Sequence, residues 1–259
     1  MRGPAARFAA GLGAAVILAA AWLAAGAARA ESPFANWAAV VVAGDFRAHS
    51  GARSDAFDNA RRDVSAALLK LGFAPSHIGQ FSSLPEGPPA GAKPAQIATI
   101  SAEFQRLAAL APEGCLLYFT SHGAPGYVMM SDAPLMASGL AQIVNSACPA
   151  SRPTVLIISA CFSGSLIPTL SGPQRMILTA ARPDRSSFGC GESDKYPYFD
   201  ACILEVLPTV DDFAALASAA KACVAARETR EKLSPPSEPQ VMVGAGLAPV
   251  LPFYSFSQR

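Results

Sequence analysis

Charge and histidine are what this chain has least of. Only 15% of its 259 residues are Asp, Glu, Lys or Arg, and histidine occurs three times, at 49, 77 and 122. Lys plus Arg number 20 against 19 acids, and no basic stripe with interleaved aromatics occurs, which excludes a nucleic-acid partner of the usual electrostatic kind. The six cysteines, at 115, 148, 161, 190, 202 and 223, form no close Cys-x-x-Cys pair, and no second histidine lies near them in sequence. That removes the common zinc patterns, so no metal and no cofactor is expected. The shortage of charge does not signal disorder, because 51% of the residues are hydrophobic and ample for a packed core.

The first thirty residues stand apart. Arg2 and Arg7 precede a long Ala/Leu/Gly/Val run from Phe8 to Ala28, which ends Ala28-Arg29-Ala30. A basic start, an apolar middle and small residues before a break read as a secretory signal peptide over 1–30, leaving a single domain over 31–259. The protein is then expected to be exported, periplasmic or secreted; membrane attachment follows only if the segment stays uncleaved, since the run is about long enough to span a bilayer. Removing residues 1–30 takes away three arginines and no acids, leaving 17 basic and 19 acidic residues, a net charge of −2. Export permits disulfides, although a domain of this size does not need them.

Beyond that segment short apolar runs alternate with helical periodicity. Trp37–Val42, Cys115–Phe119, Val155–Ser159 and Met176–Ala180 read as strands buried on both faces, with shorter strands near His77–Ser82 and Val241–Val243. Phe57, Ala60, Val64, Leu68 and Leu71 recur at helical spacing between Ser54 as N-cap and Gly72 as terminator. Further helices are expected over Ile97–Ala111, over a segment bearing Met136, Leu140, Ile143 and Val144, and over Val210–Arg227. Strand–helix–strand repetition builds a mostly parallel α/β sheet covered on both faces.

In such sheets, sites form outside the carboxyl ends of the strands. The run LLYFTSHG places His122 just beyond one strand, and VLIISACFSGS places Cys161 just beyond the next. If the two strands are neighbours, about 4.8 Å apart, thiol and imidazole face one small volume. That is the pairing a cysteine nucleophile requires. Gly123 leaves its N–H open to a substrate and, with the N–H of Cys161, suits a tetrahedral oxyanion. Ser163-Gly164-Ser165 is expected to keep the surface beside Cys161 open. Ser163 itself lacks the first glycine of GxSxG, so a serine-hydrolase reading fails. His49 reads as a solvated loop histidine. Cys190 is open between disulfide partner, wall of the site and buried residue.

Taken in order, YFTSHGAPG, ISACFSGS and TAARPDRSSFGCG resemble the legumain family of cysteine peptidases, relatives of the caspases, over about Trp37 to Leu207. The resemblance implies a caspase-like three-layer α/β/α sandwich, a peptide or protein substrate, and a dyad of His122 as base with Cys161 as nucleophile. Gly123 carries over as oxyanion donor. The family cleaves after asparagine, sometimes aspartate, from a pocket whose counterparts here are Arg53, Ser159, Ser187 and Asp200. Ser159 stands where the family has glutamate, Ser54 follows Arg53 in place of histidine, and the asparagine that supports the family's histidine falls at Gly51 or is missing. The expected activity is that of a cysteine endopeptidase; transpeptidation by the same dyad, or a peptide-binding module on the same fold, are the alternatives.

Overall fold

The apolar run Trp37–Ala43 forms β1, buried along its whole length and able to find water on neither face. The same holds for β4 (Gly114–Thr120), β8 (Thr154–Ser159) and β9 (Arg175–Thr179). A strand buried on every side chain needs helices on both faces of its sheet, and the intervening segments supply them. The structure is a computed structural model that describes residues 32–256 together with Met1 and Gly3; the leader reading over 1–30 lies outside the described residues.

In chain order, β1 leads to α1 (Ala56–Lys70), β2 (Ile78–Ser82), the two-residue β3 (Lys93–Pro94) and α2 (Ile97–Leu110). After β4 a small antiparallel meander follows, of β5 (Gly123–Ala124), β6 (Tyr127–Met130) and β7 (Ala133–Met136), then α3 (Ala137–Ala147). Beyond β8 come α4 (Ile167–Leu170), β9, α5 (Tyr198–Val206), α6 (Phe213–Glu231) and β10 (Gln240–Val243). The main sheet has seven strands in the order β10-β9-β8-β4-β1-β2-β3, all parallel except the edge pair β10–β9. It is a three-layer α/β/α sandwich.

Side chains that alternate along each strand divide the core in two. Val40, Val42, Leu117, Phe119, Leu156 and Ile158 pack with α2, α3 and α4 on one face. Val41, Leu116, Tyr118, Val155 and Ile157 pack with α1, α5 and α6 on the other. A fully buried side chain such as Phe104 or Phe199 contributes about 2 kcal/mol.

The chain lays down β2 on one side of β1 and then returns to place β4 on the other. The direction of winding therefore reverses between β1 and β4, which opens a crevice at their carboxyl ends. Three local features differ from the sequence reading. The N-cap of α1 is Asp55, while the Ser54 hydroxyl accepts from the Ala56 N–H and donates to the Gly191 carbonyl. Met136 ends β7 and is the exposed N-cap of α3, just outside the helix it was expected to belong to. Tyr198–Val206, unassigned from periodicity, is helical. Among the described residues no helix is long and apolar enough to cross a membrane.

Cys115–Cys148 ties the start of β4 to the end of α3, and Cys202–Cys223 ties α5 to α6; Cys161 and Cys190 remain free. The first bridge closes 33 residues that include the whole meander, so its removal frees that segment in the unfolded chain. Replacing Cys115 and Cys148 together by Ala is expected to lower stability by about 2–4 kcal/mol in urea unfolding without reductant. A loss below about 1 kcal/mol would show that the bridge is not a principal restraint.

Candidate active site

The β4–β8 ladder runs Cys115↔Thr154 to Thr120↔Ser159 in unbroken parallel register, and Ser121 extends it by donating its N–H to the Ser159 carbonyl at 3.0 Å. Two residues past the last pair on each strand stand His122 and Cys161. They open into one cleft of about 430 Å³, whose walls include Asp45, Arg47, Gly123, Phe162 and Ser186. A groove of similar volume between α1 and α5, lined by Ala67, Leu71, Tyr196 and Leu204, lies away from the strand ends and holds neither nucleophile nor imidazole.

The imidazole is fixed from the β1 side. His122 Nε2 lies 2.9 Å from the Arg47 carbonyl oxygen. A carbonyl only accepts, so Nε2 carries the hydrogen and Nδ1 keeps its lone pair for the cleft. Phe57, from the first turn of α1, meets the ring edge-on at 5.0 Å. The Arg47 carbonyl is held in turn by Asp45, the second residue beyond β1. Its buried carboxylate accepts from the N–H groups of Phe46 (2.7 Å) and Arg47 (3.1 Å) and from Arg47 Nε (2.9 Å). The Arg47 guanidinium reaches on to Asp132 and to the Ser131 carbonyl, tying this loop to the meander. The histidine's support is thus a backbone carbonyl instead of an asparagine near position 51. Gly51 lines the cleft, and its N–H donates to Ala48 O.

The sulfur is fixed from the loop after β9. Ser187 N–H donates to Cys161 Sγ at 3.3 Å, and the sulfur also lies 3.6 Å from the Ser187 carbonyl oxygen. Phe162, next in sequence, has φ of +57°, a left-handed conformation that a bulky residue adopts only where its surroundings enforce it. Its N–H donates to Arg185 O, and Ser165 Oγ donates to Phe162 O while accepting from the Gly126 N–H. Ser163 and Gly164 are buried beneath this turn, Gly164 within reach of the Ala181 carbonyl, so they pack the turn and do not open the surface. Gly123 is required by contact: a Cβ there would lie 2.5 Å from the Cys161 carbonyl oxygen and 2.9 Å from Ala160 Cβ. Because Met129 N–H donates to His122 O, the neighbouring Gly123–Val128 pair is the non-bonded kind, and the Gly123 N–H points away from β6.

The other predicted residues scatter. Arg53 is exposed and bound to Asp55 and Glu86, not among the residues of the cleft wall. Ser187 touches the sulfur. Ser159 and Asp200 meet each other under the floor, Asp200 with no exposed surface at all. Its carboxylate accepts from Tyr118 Oη (2.5 Å), Ser159 Oγ (2.5 Å) and Thr120 Oγ1 (3.1 Å), bracing the ends of β4 and β8 against α5. Burial pushes the Asp200 carboxyl up to about 6, against three hydroxyls that hold it down. His49 is exposed and lines the cleft, its N–H directed to the Cys190 carbonyl. The Cys190 thiol is half-buried and pushed up to about 11 by desolvation.

Comparison with known proteins bears on the fold and on the stretch that holds the cleft residues. Caspase-1 from Spodoptera frugiperda superposes with a TM-score of 0.59 over 82% of this chain and 88% of that one, at 16% identity, which establishes the fold as caspase-like. No curated protein matches the chain in sequence. Residues 100–223, the stretch that holds both His122 and Cys161, match the Peptidase C13 family. That stretch is thus similar to the C13, legumain-like peptidases.

Two outcomes follow. Asp200 binds a proton more tightly folded than unfolded, so its contribution to stability is fully present below about pH 4 and disappears as pH rises through about 6. In the difference between wild type and Asp200→Asn, wild type should gain roughly 2 kcal/mol from pH 7 to pH 4, read by urea unfolding; a pH-independent difference contradicts this. Gly123→Ala must push the strand ends apart, and is expected to cost about 1–3 kcal/mol and to slow alkylation of Cys161.

Proposed function

We propose that this protein is an exported cysteine endopeptidase that works through Cys161 and His122. The observation that carries the reading is the in-register delivery of both side chains into one cleft, with His122 Nε2 anchored on Arg47 O so that Nδ1 is left for the thiol. In the reaction, His122 Nδ1 takes the thiol proton and Cys161 Sγ attacks the carbonyl carbon of the substrate. The carbonyl π-pair moves to oxygen, which the N–H groups of Gly123 and Cys161 receive. The tetrahedral adduct collapses as His122 returns the proton to the departing amine, leaving a thioester on Cys161. Water then attacks the thioester with His122 as base, releasing the acid and regenerating the thiol.

An amine in place of water gives transpeptidation by the same steps, and product analysis with and without an added amine separates the two. Cleavage after asparagine fits within this reading. Two disulfides beside two free thiols support an oxidising compartment, as does the leader read over 1–30. A peptidyl acyloxymethylketone is expected to label Cys161 selectively over Cys190, with His122→Ala slowing labelling by about 10²–10⁴-fold. Equal labelling of both cysteines, or labelling indifferent to His122, would sink the dyad.

A further inference from the structure

We infer that the cleft selects basic peptides over acidic ones, with Asp132 as the residue that decides it. The inference deepens the peptidase reading and rests on it for where a substrate lies.

The charges around the cleft have a definite balance. Its one guanidinium, Arg47, is already committed: Nε and Nη2 to the two oxygens of Asp45, Nη1 to Asp132 Oδ1, and Nη2 also to the Ser131 carbonyl. Two carboxylates thus meet one cation, leaving one negative charge. The two acids are not equivalent. Asp45 is 3% exposed and consumed by backbone and guanidinium donors, whereas the Asp132 side chain is 87% exposed and keeps its second oxygen toward solvent at the rim. No described residue of the cleft wall offers an unpaired guanidinium or ammonium to an incoming carboxylate.

The surroundings do not reverse this balance. Arg53 faces Asp55 and Glu86, again two acids to one cation. Glu192 accepts from Ser50 Oγ, next to Gly51 of the wall. On the side of Phe162, Arg182 pairs with Asp184 and Glu238 and Arg185 pairs with Asp184 through Nη1, its buried Nε being without a hydrogen-bond partner. Each group is neutral or negative. A lysine or arginine of a bound peptide lying along the meander rim meets Asp132 directly; an aspartate there meets an acid with no free partner to offset it.

The test reads binding, so that cleavage is not needed. Fluorescent octapeptide pools carrying Lys, Ala or Asp at each position in turn are titrated by anisotropy against the full chain bearing Cys161→Ala. At one or two adjacent positions the Lys pool should bind about five-fold tighter than the Asp pool, and the ratio should shrink in 0.5 M salt. Adding Asp132→Asn should bring the ratio to about two-fold or less, and Asp132→Lys should invert it, an inversion that a purely structural role for Asp132 does not produce. Tighter Asp binding, a ratio unmoved by Asp132→Lys, or no pool bound at millimolar concentration overturns the inference. Basic selectivity in a chain whose wild type cleaves none of these pools would leave the inference standing and overturn the peptidase reading instead.

Discussion

The parallel ladder between β4 and β8 fixes the geometry at the carboxyl end of the sheet, because side chains alternate faces along a strand and a slip of one residue would turn His122 or Cys161 away from the other. Register of this kind is enforced by burial: Leu117, Phe119, Leu156 and Ile158 must enter one core while Leu116, Tyr118, Val155 and Ile157 enter the other. The end of the ladder is secured separately. Tyr118 and Thr120 of β4 and Ser159 of β8 converge on a single carboxylate, Asp200, delivered by α5 from below. A buried acid shared by both strands joins them at the point where the backbone ladder gives out.

Two more restraints complete the arrangement, each from a different strand end. The loop after β1 supplies Asp45, which shapes its own backbone so that the Arg47 carbonyl faces the imidazole. The loop after β9 supplies Ser187, whose N–H meets the sulfur. Histidine and cysteine are thus each oriented by backbone groups, and the hydroxyls and carboxylates hold that backbone in place. The Arg47–Asp132 pair then couples the β1 loop to the meander, so that one contact serves both the stiffness of the histidine's support and the charge at the cleft mouth.

The sandwich itself was legible in the sequence because wholly apolar strands and periodic helices are written in local composition. That His122 and Cys161 line one cleft was legible because their positions after two strands coincide. The support of the histidine was not, since a backbone carbonyl has no residue signature; the rule that sites lie at carboxyl ends, applied equally to β1, would have pointed to Asp45–Arg47. Arg53 was chosen by position relative to a motif, but its guanidinium lies nearer to Asp55 and Glu86, and such pairing depends on where a loop turns. Ser159 and Asp200 meet each other, yet beneath the cleft, where Tyr118, Thr120 and Ser159 hydroxyls converge on the buried carboxylate. The meander was invisible, its strands being two to four residues long with mixed burial.

His122 and Cys161 share one cleft, and the proposed chemistry requires imidazole and thiol to face each other there. Dibromoacetone, which alkylates a thiol and then a second nucleophile within a few ångströms, tests that most directly when the product is mapped by mass spectrometry. A bridge from Cys161 to a His122 ring nitrogen is expected. Cys161 carrying a single open-ended adduct, or a bridge to Cys190 alone, would contradict it.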